Sequence, residues 1–174
     1  MINPGSSLFK NALNLGALTG IALAVLQMLL LVTGFGDSSG LQWVLYIILI
    51  VSISWGARMY RDRANDGYLS YGESLAFGVV LSLGAALIYG FAFYLYMKYI
   101  DSNYTRIIIE TMELSLYEGN MPEDQIETIM DLYKTFFGPG LFAFTMVFSY
   151  SLMGLCISLV VSFFVKNEKP MFEE

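Results

Sequence analysis

Between Lys10 and Asp37 the chain carries no ionisable side chain, and the stretch from Asn11 to Thr33 inside that interval is almost wholly apolar. At ~1.5 Å per helical residue this stretch is longer than the ~30 Å hydrocarbon core of a bilayer. Ala22-Leu23-Ala24 has the form of a secretory cleavage site, but the apolar run continues through Val25 to Val32 beyond it, so the segment reads as a retained membrane anchor. A chain that begins this way must hide or immerse such a helix, and three further runs repeat the demand.

The second run goes from Leu41 to Ala57 and stops at Arg58, with Trp43 and Tyr46 near one end and Trp55 and Tyr60 near the other. Aromatic rings at both ends are the placement expected of the two interfaces of a membrane. The third extends from Tyr71 to Met97, interrupted only by Glu73 and closed by Lys98 and Asp101; the fourth, Leu141 to Val165, ends at Lys166. With 56% apolar and only 14% charged residues, the chain holds more apolar surface than a soluble core of 174 residues can enclose. The fold class predicted is therefore all-α: a single polytopic membrane domain over residues 1–174, with spans at 11–33, 41–57, 71–97 and 141–165. Small residues recur every fourth position at Ser74, Gly78 and Ser82, at Gly154, Ser158 and Ser162, and as Gly16 and Gly20, a pattern that lets helix backbones approach closely.

Between the third and fourth spans the composition changes sharply. Asp101 to Lys134 contains eight acidic and two basic residues, so this stretch is expected outside the lipid. Its second half is helical by periodicity, with Ile126, Ile129, Met130, Tyr133, Phe136 and Phe137 on one face and Glu123, Glu127 and Asp131 on the other. Asn120 with Glu123 fits a capping box with Pro122 in the first turn, and Gly119-Asn120 separates this helix from a less periodic first half. The expectation is an extracytoplasmic amphipathic helical hairpin over 101–137. Gly138-Pro139-Gly140 either kinks one long helix or starts the fourth span. Lys10, Arg58, Arg61, Arg63, Lys166 and Lys169 fall on one side of such a topology and Lys98, Arg106 and Lys134 on the other, which puts both termini in the cytoplasm.

Several chemistries are disfavoured by what the sequence contains. There is no histidine, the usual general base and commonest zinc ligand, and no pair of carboxylates in any span, so no catalytic residue, metal site or cofactor is assigned and the protein is expected not to be an enzyme. Nine basic residues spread along a chain of net charge −6 do not form a nucleic-acid surface. The single Cys156 forms no internal disulfide, and the methionines at 112, 121 and 130 read as packing surface. Ser149, Ser151, Ser158 and Ser162 have no activating base placed near them in sequence.

The segment Gly67-Tyr68-Leu69-Ser70-Tyr71-Gly72-Glu73-Ser74 follows a short basic loop and opens the third span. In Gly67, Ser70, Tyr71, Gly72 and Glu73, and in the acidic stretch Asn120-Met121-Pro122-Glu123-Asp124-Gln125-Ile126-Glu127, the chain resembles the bacterial membrane family called domain of unknown function 4199 (DUF4199) over nearly its whole length. The resemblance implies a four-span architecture in the bacterial inner membrane and carries over no functional residues.

Glu73 is the one ionisable group within reach of an apolar run, where a charge at mid-bilayer would cost ~3 kcal/mol. It is expected either to anchor the helix at the headgroup level by pairing with Arg58, Arg61 or Arg63, or to act as a protonatable or cation-binding carboxylate with Gly72 and Gly78 leaving room beside it. The leading expectation for function is a non-enzymatic structural or interaction module whose hairpin meets a protein partner or a second copy, with the lipid bilayer as surroundings. The alternative is a small transporter or channel subunit using Glu73.

Overall fold

A computed structural model of the chain describes residues 6–35, 39–101, 103–136 and 138–168. These form α1 (Leu8–Val32), α2 (Ser39–Ala64), α3 (Tyr71–Leu95) with a π-helical turn at Tyr96–Ile100, α4 (Tyr104–Glu118), α5 (Glu123–Phe136) and α6 (Pro139–Val165). α1, α2, α6 and α3 with its π-helical extension are long and apolar enough to cross a membrane, which agrees with the four spans read from sequence. Part of the first turn (Gly36 to Ser38), Phe137 and the basic tail residue Lys169 lie outside the described residues, as do the side chains of Lys134 and Phe136.

The helix ends differ from the apolar boundaries for local reasons. α2 runs on past Ala57 through Arg58, Arg61 and Arg63, because arginine is a good helix former and its charge suits a helix C-terminus. It stops where Asp66 and Gly67 take left-handed φ values of 52° and 80°. Pro139 is the first residue of α6, where its missing N–H costs nothing, and the Gly138 carbonyl accepts from Leu141 and Phe142 at 3.0 and 3.2 Å. The proline thus starts the fourth long helix.

Two compact units divide the chain, Met1–Tyr89 with Val147–Glu174, and Gly90–Met146. In the first unit the helices alternate in direction, and the small-residue positions are where they meet. A side chain on Gly16 would strike the Leu81 carbonyl, and one on Gly20 would lie 2.6 Å from that of Ala85, so α1 crosses α3 in parallel along its Gly-x-x-x-Gly face. α6 meets α3 antiparallel: Gly78 abuts the Ser158 side chain, Gly154 abuts Ser82, and the Tyr71 hydroxyl donates to the Leu159 carbonyl at 3.2 Å. Ser74, Ser82, Ser158 and Ser162 are all buried along this seam. Such contacts hold helices in an apolar solvent, where the hydrophobic effect gives no reason for them to associate. At one end of the unit Tyr150 of α6 stacks on Tyr46 of α2, ring centres 5.8 Å apart, and packs at 4.7 Å on Tyr89 of α3. Toward the other end Tyr60 of α2 lies 5.4 Å from Phe77 of α3. Half of the most apolar stretch of α3 is buried, against 22% for α6, which makes α3 the central helix.

In the second unit the end of α3 is tied to α4 by three rings: Phe93 and Tyr104 meet edge to face at 5.8 Å, and Tyr96 lies 6.2 Å from Tyr104. α4 and α5 are joined by a short turn and pack against each other. That turn corrects one detail of the sequence reading. Asn120 does not cap α5; it has φ 54° and ends α4, with its N–H on the Tyr117 carbonyl (3.0 Å) and the Met121 N–H on the Leu116 carbonyl (3.3 Å). That pair of bonds is a Schellman ending with asparagine in the left-handed place usually held by glycine. Pro122 precedes α5, its carbonyl accepting from Gln125 and Ile126. Ile126 and Met130 are buried as the apolar face of α5 requires, whereas α4 buries no residue fully and leaves Ile107 and Leu114 exposed.

Candidate functional site

Ser70-Tyr71-Gly72-Glu73 has the spacing of a capping box, and the structure uses it as one. The Glu73 carboxylate accepts from the Ser70 N–H at 2.9 Å and from its hydroxyl at 2.8 Å, while the Glu73 N–H is 3.3 Å from Ser70 Oγ. One orphan donor at the start of α3 and the carboxylate itself are satisfied together, and the negative charge sits at the favourable helix end. Glu73 is exposed, and among the described residues the ion pairs are Arg61 with Asp62, Arg106 with Glu110 and Lys166 with Glu168. Glu73 is thus held by its own helix start and not by an arginine.

The three arginines separate in role. Arg61 bridges two helices: Nε donates to Asp62 at 2.7 Å and Nη1 to the Val165 carbonyl, in the last turn of α6, at 2.9 Å. Arg58 and Arg63 are exposed on the last turns of α2. Beside them the connection to α3 is fastened to the residues after α6. Leu69 and Asn167 exchange both backbone hydrogen bonds, at 2.7 and 2.8 Å, and the Asn167 side chain donates to the Gly67 carbonyl at 2.8 Å. Asn65 closes the loop onto the Tyr68 carbonyl at 2.6 Å.

This end of the first unit contains a cleft of about 490 Å³ lined by Leu69 and by the polar residues Asn65, Tyr68, Ser70, Glu73, Asn167 and Glu168. Gly72 borders open space, so there is room beside Glu73 on that side. Gly78, two turns deeper, is filled by Ser158 and Ile53. The six sequence-selected residues therefore fall at one end of the unit, but only Glu73 lines the cleft, Arg61 acts as a clasp and Gly78 as a packing position. Asn167 and the carbonyl of Val165 were not selected; a backbone partner 104 positions away leaves no mark in local sequence. The capping role of Ser70 did leave one, in the Ser-x-x-Glu spacing.

A second concavity, about 340 Å³, lies in the α4–α5 hairpin, where Glu113, Glu123, Glu127 and Asp131 surround the buried side chains of Ile126 and Met130. Among the described residues no group of three or more acidic or cysteine side chains is arranged to hold a metal ion.

No curated protein and no solved structure matches the chain. A family model described as protein of unknown function (DUF4199) matches residues 14–167, from the first helix to the clasp at Asn167. With nearly the whole chain covered, from the small-residue face of α1 through the hairpin to the end of α6, the protein belongs to the DUF4199 family.

Proposed function

We propose that the protein is a four-span, non-enzymatic structural or interaction module of a bacterial inner membrane, with both termini cytoplasmic and the α4–α5 hairpin outside the bilayer as its contact surface. The observation that carries this reading is the uneven burial of the hairpin: Ile107, Leu114 and Leu132 are 50%, 63% and 55% exposed on helices that also hold seven of the eight acidic side chains of the region 101–134. Exposed apolar residues rimmed by charge mark a surface that meets a protein partner or a second copy. Deleting residues 101–134 is expected to abolish a detergent-stable association, seen by cross-linking and light scattering, while the shortened chain still inserts. Unchanged association after the deletion overturns the proposal.

A second reading, a small transporter or channel subunit, draws support from the cleft at Glu73 and the open side of Gly72. Gln is compatible with the third position of a capping box, so Glu73→Gln keeps the helix start and removes the charge. Solute flux in reconstituted vesicles that is lost in this variant would favour transport over the module.

A further inference from the structure

Where α2 and α6 run side by side, Ile50, Cys156, Ile157, Val160 and Val161 line a shallow, almost wholly apolar groove of about 310 Å³. Arg61 lies eleven positions after Ile50, three helical turns along the same line of α2 and about 16 Å nearer the helix end. There its bond to the Val165 carbonyl closes the gap between the two helices. Arg61 spends two of its five N–H donors, on Asp62 and Val165, and three remain. Arg58 stands exposed one turn earlier, and the Lys166 ammonium lies 5.7 Å over the Phe163 ring, only loosely paired with Glu168 at 3.8 Å. α2 carries Arg61 and Arg63 in its last turn.

We infer that this is a binding site for an anionic phospholipid, with one acyl chain in the α2–α6 groove and the phosphate against Arg58, Arg61 and Lys166. The inference rests on the reading that these helices span a bilayer. An apolar groove in the span suits an acyl chain, and cations at its end select a negative headgroup over a zwitterionic one. Guanidinium groups suit phosphate in particular, since their paired N–H donors match its oxygens. Asp62 and Glu168 reduce the local charge, and a phosphate competes with them for the same donors.

The test is native mass spectrometry of the full chain released from detergent with equal amounts of phosphatidylglycerol and phosphatidylcholine of the same chain length. The unaltered protein is expected to retain phosphatidylglycerol over phosphatidylcholine by about five-fold or more, the factor that one basic residue near a membrane surface supplies. Arg58→Gln with Lys166→Gln leaves the Arg61 clasp in place and should bring the ratio to within about two-fold, whereas Arg58→Lys with Lys166→Arg should restore it. Val160→Trp, which fills the groove, should lower retention of phosphatidylglycerol while the cations remain. Equal retention of the two lipids by the unaltered protein, a preference that survives the double glutamine variant, a groove variant with undiminished retention, or a dimer that excludes lipid from this face each overturn the inference. Extraction of the protein from vesicles by alkaline carbonate would instead overturn the spanning reading, so the two failures are distinguishable.

Discussion

Gly16 and Gly72 show why identical residue types carry different weight here. Gly16 faces the backbone of Leu81 with no space for a side chain, while nothing approaches within 4 Å of a side chain placed on Gly72. Gly16→Val should therefore push α1 from α3 at a cost of about 1–3 kcal/mol, as overpacking does. Gly72→Ala, exposed in the first turn of α3, should change stability by about 0.5 kcal/mol or less. Thermal unfolding in mild detergent separates them: a midpoint several degrees lower for the first and unchanged for the second is expected, and equal midpoints would contradict the close crossing. The four-residue spacing made Gly16 and Gly78 legible as packing positions; whether a glycine faces a helix or open water depends on the angle at which that helix is presented, which spacing leaves open.

Two short motifs share the same spacing, and the helix ends decide which of them acts as a cap. Asn120-x-x-Glu123 and Ser70-x-x-Glu73 both have capping-box spacing, yet only the second makes the reciprocal bonds. Asn120 follows Gly119 at the close of α4 and is already committed to a left-handed turn, so it cannot also present its side chain to α5. Ser70→Ala should cost about 1 kcal/mol, the loss of an N-cap, with Glu73→Gln closer to neutral. For Asn120 the expectation differs in kind. Asn120→Gly should be neutral or slightly stabilising, whereas Asn120→Val should destabilise the hairpin by about 1–2 kcal/mol, because a β-branched residue is strained at positive φ. Hydrogen exchange of the α4 carboxyl-terminal amides reads this directly; a valine variant that exchanges no faster would remove the Schellman assignment. Here the helices themselves were legible, and the error lay in which neighbour owned the connecting residue.

For the molecule as a whole, the alternation of α1, α2, α3 and α6 brings the α2–α3 loop and the residues after α6 to one end, where Leu69 pairs with Asn167. The four long apolar runs and the basic residues made that arrangement readable; the clasp itself was not, since it joins two polar segments that have no pattern in common. Cys156 is the single cysteine, so replacing it by serine gives a clean background for site-directed labelling. In intact cells a membrane-impermeant maleimide is expected to label Asp124→Cys and to reach Asp66→Cys only after the membrane is opened. Labelling of both from the same side would break the proposed topology.

The serine and glycine seam of α3 has a consequence for the time before the chain is finished. Gly78 and Ser82 are covered by Ser158 and Gly154, residues made roughly seventy to eighty positions later, after the whole α4–α5 hairpin. At about 5–20 residues per second the ribosome leaves that face unfilled for several seconds. On the proposed spanning topology that face of α3 waits for the last helix, which enters as the piece that closes it.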